Sequence, residues 1–200
     1  NATISVNGNA QSFAPGTFTA IDFSGDAGSD TAFIFVNNGQ AEQAVHNPGG
    51  LVLSGANYAL TLFDAQTIVM FGNGTDIQTF RNSEENDVLY GFSDYALSST
   101  AGLVTASFNY GQTRFEKSLG FDAAILVDSA GDDVFTAAQS LSTLVGANFA
   151  YDVVGFDQVY AFANNGGNDT ANLNGSSLPD FGVFYMGFNL LDPVVGGLSE

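Results

Sequence analysis

The chain has 200 residues, of which 45% are hydrophobic and 13% aromatic, and this is enough apolar material to fill a core. Three basic residues stand against 21 acidic ones, and the formal net charge of -18 argues against binding to nucleic acid or to anionic membrane surfaces. The chain contains no cysteine, which excludes disulfides and thiolate metal sites. It opens at Asn1 without an apolar leader, which favours a processed or excised form of an exported protein.

Short β-prone runs separated by Gly, Asn, Asp and Ser follow one another along the chain. The first run, residues 2–6, alternates like an edge strand. The later runs are residues 31–36, 58–63, 67–71, 77–81, 88–92, 123–127 and 170–173. The most apolar region, residues 181–191, is short and interrupted by Gly182, Gly187 and Asn189, so we predict no insertion into a membrane.

Between the first two of these later runs, residues 37–50 depart from the rest of the chain and have no acidic residue at the position expected from the third repeated set described below. We predict that this segment is a variable surface loop. His46, the only histidine, is therefore expected to be a solvated loop residue, and it is not placed in a Ser-His-Asp triad.

Four sets of residues recur at nearly constant spacing, which is typical of repeat proteins. The first set has intervals of 46, 46 and 47 residues and comprises Asp30, Asp76, Asp122 and Asp169. The second, with intervals of 46, comprises Gln66, Gln112 and Gln158. The third, with intervals of 46 and 47, comprises Asp87, Asp133 and Asp180. A looser fourth set, with intervals of 47, 47 and 44, comprises Gly8, Gly55, Gly102 and Gly146.

This period predicts an all-β protein, a parallel β-solenoid or β-helix of about four units of 46 residues. Half a period is 23 residues, which suits one coil, so two coils per unit and about eight coils in all are expected. We treat residues 1–200 as a single repeat domain with units at approximately 8–54, 55–101, 102–145 and 146–192. Short strands at such intervals also fit a β-sandwich, which stays open as the alternative fold.

Three Gly/Asp-rich turns, at residues 24–30, 129–133 and 166–170, resemble the GGxGxDxUx turns of calcium-binding RTX nonapeptide repeats. The resemblance implies bound calcium, although here each turn stands alone rather than in a consecutive series. The candidate metal ligands are Asp26, Asp30, Asp128, Asp132, Asp133 and Asp169. The other interpretation is that these aspartates only cap the backbone of their own turns.

Residues 128–177 also resemble the tandem units of very large secreted bacterial surface proteins, in which SAGxDxF and GFDxVxAxAxxGGxDTAxL alternate. The segments DSAGDDVFTA and GFDQVYAFANNGGNDTANL carry this resemblance. It implies an extracellular or cell-surface location and a repetitive architecture, and it implies no particular chemistry.

The final unit is more apolar than the others, and we predict that it mediates assembly by covering the open end of a neighbouring subunit. The assembly candidates are Phe181, Phe184, Tyr185, Phe188, Leu190 and Leu191. Asn73 begins an Asn-x-Thr sequence in a predicted turn and is the preferred glycosylation candidate.

No set of reactive side chains stands out, so we predict a non-catalytic protein. Arg114 and Lys117 flank Glu116 on a predicted strand, where local charge balance explains them. The leading hypothesis is a structural protein whose subunits associate end to end into a homopolymer, forming a filament, sheath or surface layer. The alternatives are a calcium-dependent adhesin or module binding cell-surface glycans through Tyr95, Tyr110 and Tyr151, and a β-helix enzyme acting on a neutral polysaccharide.

Overall fold

The computed structural model describes residues 2–6, 9–13, 19–36, 40–175, 181–183 and 194–197. These residues form strands and no helix, and nothing in this part of the chain resembles a membrane-spanning helix. The strands are β1 (Ala2–Val6), β2 (Asn9–Phe13), β3 (Ala20–Ser24), β4 (Thr31–Phe35), β5 (Gln43–Asn47), β6 (Gly50–Ser54), β7 (Ala59–Phe63), β8 (Thr67–Phe71), β9 (Ile77–Arg81), β10 (Val88–Gly91), β11 (Tyr95–Thr100), β12 (Leu103–Phe108), β13 (Gln112–Glu116), β14 (Ala123–Val127), β15 (Val134–Ala137), β16 (Leu141–Val145), β17 (Ala150–Val154), β18 (Gln158–Phe162), β19 (Thr170–Leu173), β20 (Phe181–Val183) and β21 (Val194–Gly197).

The strands build a β-solenoid of about four coils with two sheets, as the repeat predicts. The first sheet has the order β2-β1-β4-β8-β12-β11-β10-β14-β18-β21-β20. The second sheet has the order β19-β15-β16-β17-β13-β9-β5-β6-β7-β3. Side chains alternate between buried and more exposed along most strands, since successive residues of a strand point to opposite faces.

Coils stack through parallel pairs of strands, and the partners are closer in sequence than one repeat unit. Thr31 lies beside Thr67, Val88 beside Ala123, and Ala123 beside Gln158. These partners are 36, 35 and 35 residues apart. One coil therefore takes about 35 residues here, neither the 23 expected from half a period nor the 46 of the whole period.

The repeat unit and the coil differ because each unit crosses between the sheets three times. In the unit β8–β12 the chain starts in the first sheet, crosses to the second for β9 and returns for β10. The strands β10, β11 and β12 then form an antiparallel meander within the first sheet, and β13 lies again in the second. The next unit, β13–β17, repeats this pattern with the two sheets exchanged.

Three is an odd number of crossings, so equivalent strands one unit apart lie in opposite sheets. The strands β4 and β14 belong to the first sheet, and their equivalents β9 and β19 belong to the second. The prediction of two coils per unit and eight coils in all is therefore wrong, since about four coils are present. Part of each unit forms an antiparallel meander within one sheet, so too few residues remain for two full coils.

Within the predicted loop at residues 37–50, residues 43–50 belong to the hairpin of β5 and β6. His46 faces the interior with 3% of its surface exposed, and its ring stacks on Phe80 with 4.2 Å between ring centroids. The prediction of a solvated histidine is wrong, because the alternation of β5 places Ala44 and His46 on the inner face. Burial lowers the pKa of His46 to about 3, against a smaller opposing effect of the Gln78 side chain.

The inward side chains form two apolar clusters, one in the N-terminal coils around Ile68 and one in the later coils around Phe115. Tyr110 belongs to the first cluster and Tyr151 to the second, and they are 7% and 3% exposed. Neither tyrosine can serve as the exposed sugar-stacking surface that the adhesin hypothesis assigned to it. The Tyr151 hydroxyl donates to the carbonyl oxygens of Phe92 and Tyr95 at 2.8 and 2.9 Å.

Candidate metal centre and assembly surfaces

Aspartates at the corners, the turns that connect the two sheets, hold successive coils together. Asp87 Oδ2 accepts hydrogen bonds from the Ser83 backbone N–H and hydroxyl, both at 2.8 Å. The Asp87 N–H in turn donates to Asp122 Oδ1 of the next coil at 2.9 Å. One carboxylate thus caps its own turn, and another accepts a hydrogen bond from the neighbouring coil. This agrees with the interpretation that the regularly spaced aspartates cap the backbone.

The same network recurs one unit later. Asp133 Oδ2 accepts from the Ser129 N–H and hydroxyl at 2.8 Å, and the Asp133 N–H donates to Asp169 Oδ1 at 3.0 Å. In the first unit Glu42 takes this place, because its N–H donates to Asp76 Oδ1 at 3.0 Å. The expectation that the first unit lacks an acidic residue here is therefore wrong, since Glu42 lies one residue beyond the predicted position.

Three of the six predicted metal ligands come together at one corner, between β14 and β15. Asp128, Asp133 and Asp169 each offer a carboxylate oxygen, and these oxygens lie within 4.8 Å of one another. Asp128 and Asp133 are buried, whereas Asp169 is exposed. Asp128 also accepts from the Asn165 backbone N–H at 3.2 and 3.1 Å through its two oxygens.

The carboxylates of this corner repel one another. Burial raises the pKa of Asp128, and the charges of Asp169 and Asp133 act in the same direction. The backbone N–H groups of Asn165 and Asn164 oppose this shift by stabilising the carboxylate. A cation at this corner would relieve the repulsion.

The other three predicted ligands lie outside this group. The Asp30 N–H donates to Gln66 Oε1 at 2.6 Å, in the corner before β4. Asp26 is exposed in the same turn with a φ of 59°, the left-handed conformation that aspartate tolerates in turns. Asp132 neighbours the three-carboxylate corner but is exposed, and its Oδ1 accepts from the Asn168 N–H at 2.8 Å.

Sequence reasoning missed Asn82, which occupies the place of Asp128 one unit earlier. Asn82 is 4% exposed, and neither its Oδ1 nor its Nδ2 has a hydrogen-bond partner. The segment from Asn82 to Val88 and the segment from Asp128 to Val134 share a Ser after the first residue and an Asp-Val at the end. This shared pattern, at a spacing of 46 residues, could have identified Asn82 as the equivalent of Asp128.

The basic side chains pair with carboxylates on or beside the outer face of the second sheet. Glu116 accepts from Arg114 at 2.8 Å and from Arg81 at 3.2 Å. The hydrogen bond from Arg114 lowers the pKa of Glu116, with burial opposing and Arg81 assisting. Lys117 donates to Asp157 Oδ2 at 2.6 Å. The proposed local charge balance around Arg114 and Lys117 is therefore present.

The outer face of the first sheet, by contrast, carries no charged side chain at the outward positions of β4, β8, β12, β11, β10, β14 and β18. Phe35, Phe71 and Phe108 form a stacked ladder across it, with ring centroids 4.8 and 5.1 Å apart. Tyr95 continues the ladder 5.7 Å from Phe108. In a chain of net charge -18, this uncharged face adds no charged side chain to the repulsion between copies.

Both ends of the second sheet present an unpaired backbone edge within the described residues. At one end β19 pairs only with β15, and all four of its residues are exposed. At the other end β3 pairs only with β7. Ala171 and Leu173 lie beside the buried residues Phe135 and Ala137, so inward positions of this coil are uncovered.

The predicted assembly residues lie outside the described side chains. Phe181 falls within β20, for which only the backbone is described, and Phe184, Tyr185, Phe188, Leu190 and Leu191 lie outside the described residues. Their role stays a prediction.

The predicted glycosylation site is engaged in its own turn. Asn73 Oδ1 accepts from the Thr75 N–H at 2.9 Å, and Asn73 Nδ2 donates to the Gln40 carbonyl at 2.8 Å. A glycan on Nδ2 would leave one N–H for the bond to Gln40, so glycosylation of Asn73 also stays a prediction.

Three comparisons with known proteins were made, and no family model, curated protein or solved structure matches the chain.

Proposed function

We propose that this protein is a structural, non-catalytic extracellular protein whose subunits associate end to end into a filament, sheath or surface layer. The observation that carries the proposal is that β3 and β19, at opposite ends of the second sheet, each have one edge to which no described residue pairs. Such edges are templates for pairing with another chain. The resemblance of residues 128–177 to tandem units of secreted surface proteins supports the extracellular location.

The directions of the strands favour head-to-tail addition. β3 is parallel to β7, and β7 runs in the same direction as β5 because the intervening strand β6 is antiparallel to both. β5, β9, β13 and β17 are parallel in turn. β15 has the direction of β17, since β16 is antiparallel to both, and β19 is parallel to β15. The two terminal strands therefore run in the same direction. When β19 of one subunit pairs with β3 of the next, the contact continues the parallel stacking found inside the solenoid, and such a heterologous contact produces an open polymer.

Hydrogen bonds identify which backbone groups face each open edge. The N–H groups of Thr170 and Asn174 donate to the carbonyl oxygens of Asp133, which precedes β15, and of Ala137 at the end of β15, so the alternating N–H of Leu173 points outward. At the other end the Thr19 carbonyl accepts from β7 and the Gly25 N–H donates to β7, so the N–H of Asp22 points outward. Proline at either position removes an outward N–H and leaves the internal pairing intact.

The test uses two blocked variants, Leu173→Pro and Asp22→Pro, with Leu173→Val and Asp22→Ala as controls that keep the N–H. We expect polymers from the native chain and from both controls, and monomers from each proline variant, in light scattering and negative-stain microscopy. An equimolar mixture of the two proline variants should form dimers only, because each subunit then retains one functional end.

Polymers formed by either proline variant alone would contradict the head-to-tail contact. A native chain that stays monomeric at high concentration would contradict the structural function itself. Deletion of residues 179–200 distinguishes the two models of the contact. Loss of assembly with this deletion indicates that the apolar final segment carries the contact, and retained assembly indicates that the β19 edge is sufficient.

The aromatic ladder of Phe35, Phe71 and Phe108 is the observation that favours an adhesin or carbohydrate-binding module as the second candidate. In the ladder, however, the rings stack on one another, with an interplanar angle of 4° between Phe35 and Phe71. Sugars stack on free ring faces, and most faces here are already covered. Saturable glycan binding by a monomeric protein, abolished by chelation, would favour the adhesin over the structural protein.

A further inference from the structure

We propose that the corner formed by Asp128, Asp133 and Asp169 binds one calcium ion, which links two successive coils. The site does not depend on polymer formation, because all three ligands belong to one chain. Asp128 and Asp133 flank the turn between β14 and β15, and Asp169 precedes β19, the strand that stacks on β15. An ion held by all three therefore joins the last described coil of the second sheet to the coil before it.

The spacing of the oxygens suits calcium. Two ligands of one calcium ion, each at 2.3–2.6 Å from it, are at most about 5 Å apart. The three carboxylates offer oxygens within 4.8 Å of one another, so all of them can reach a common ion. Three carboxylates supply up to six oxygens, and because Asp169 is exposed, water can complete the coordination.

A buried carboxylate oxygen without a partner supports a missing ligand at this corner. Asp133 is 2% exposed, and while its Oδ2 accepts from Ser129, its Oδ1 has no hydrogen-bond partner. Buried carboxylate oxygens ordinarily accept a hydrogen bond or bind a metal, since desolvation without compensation is costly.

The equivalent corner one unit earlier has the same arrangement with one charge fewer. There Asn82, Asp87 and Asp122 replace Asp128, Asp133 and Asp169, and the Ser83–Asp87 hydrogen bonds match those of Ser129 and Asp133. Asp122 Oδ2 and the Asn82 amide are buried without a partner. Because the backbone is the same with Asn82, the corner accepts an asparagine at the position of Asp128 without refolding.

That comparison supplies the test variant, Asp128→Asn. It gives the corner of Asp128, Asp133 and Asp169 the same residue types as the corner of Asn82, Asp87 and Asp122. Asp152→Asn is the matched control, because Asp152 is also a carboxylate but lies 3.9 Å from Arg114 on the outer face of the second sheet. Both variants remove one negative charge. The full chain is stripped with a chelator and titrated with CaCl₂, and separately with MgCl₂, by calorimetry at about 0.15 M NaCl, where diffuse attraction is screened. Thermal unfolding with and without calcium is the second readout.

We expect one saturable calcium site in the native chain, a calcium-dependent rise in the unfolding temperature, and much weaker binding of magnesium, which demands a tighter octahedral site. Asp128→Asn should weaken calcium binding at least tenfold and abolish the thermal shift, whereas Asp152→Asn should change neither. Should Asp128→Asn fail to fold, Asp169→Asn serves instead, because its amide oxygen can still accept from the Asp133 N–H. Absence of saturable calcium binding, equal losses in test and control variants, or equally tight binding of magnesium would overturn the proposal.

Discussion

Glycines occupy equivalent positions at three successive corners, and two of them lie where the coils approach each other closely. Gly74, Gly120 and Gly167 have φ values of 83°, 92° and 92°, in the left-handed region that favours glycine. A Cβ atom at Gly120 would collide with the carbonyl oxygen of Glu85 in the preceding coil, and one at Gly167 would collide with that of Gly131. Gly120 and Gly167 are thus required by backbone conformation and by contact between coils, and Gly74 by backbone conformation.

Gly120→Ala is expected to lower the free energy of unfolding by more than about 2 kcal/mol, because strain and a backbone collision act together. Gly49→Ala is the matched control, since no atom lies within 4 Å of the Cβ position at Gly49. Urea denaturation of the two variants checks the prediction. Similar stabilities would show that the corner between the coils can relax to accept a side chain.

His46 makes the stability of the fold sensitive to mild acid. Its pKa is about 3 in the folded protein and 6.5 in an exposed histidine, so between these values the unfolded chain binds a proton that the folded protein does not. Stability is therefore lost as the pH falls below 6.5, by up to about 1.4 kcal/mol per pH unit.

His46→Phe should remove this loss, because the new ring continues the stack on Phe80 and does not titrate. Denaturation at about pH 7.5 and about pH 5.5 measures the effect, in a range where most carboxylates stay ionised. The raised pKa of Asp128 has the opposite effect on stability at lower pH. The folded protein binds this proton at a higher pH than the unfolded chain does, so protonation of Asp128 favours the folded state. An equal loss of stability in the native chain and the variant would assign the acid sensitivity to other groups.

Among the elements, strand positions were largely predictable, while pairing was not. Residues 67–71, 77–81 and 123–127 were predicted as strands and are β8, β9 and β14. The residues of β5 were predicted to form a loop. Gly and Pro stand on both sides of this short run, and one of its two inward residues is a histidine rather than an apolar residue. The meanders were not predicted, because hairpin and coil connections use the same turn residues.

The corner carboxylates were identified from sequence, but their partners were not. Spacing of 46 residues identified Asp87 and Asp133 as equivalent, yet each is bonded to a residue 35 or 36 positions ahead. The interval from Asp87 to Asp122 was present in the sequence and marks the true coil length. Equivalent residues can lie in the same sheet only when a unit crosses between the sheets an even number of times, and here it crosses three times.

For the whole molecule, the net charge of -18 opposes association of any two copies. Raising the ionic strength from about 0.01 M to about 0.1 M shortens the screening length from about 30 Å to about 10 Å. If backbone edges and uncharged surface form the contact, assembly should begin at a lower protein concentration in the higher salt.

Sedimentation in KCl with a chelator present checks this expectation without interference from divalent cations. Leu173→Pro serves as the control that should stay monomeric at every salt concentration. Dissociation by salt would instead indicate that ion pairs between subunits hold the polymer together.

The exchange of sheets from one unit to the next has a consequence for any array of these units. Equivalent strands of adjacent units lie in opposite sheets, and those of units two apart lie in the same sheet. Insertion or loss of a single unit would therefore rotate everything beyond it by half a turn, whereas a pair of units changes only the length. Whether the number of units between two surfaces is odd or even therefore decides whether these surfaces face the same side of the array.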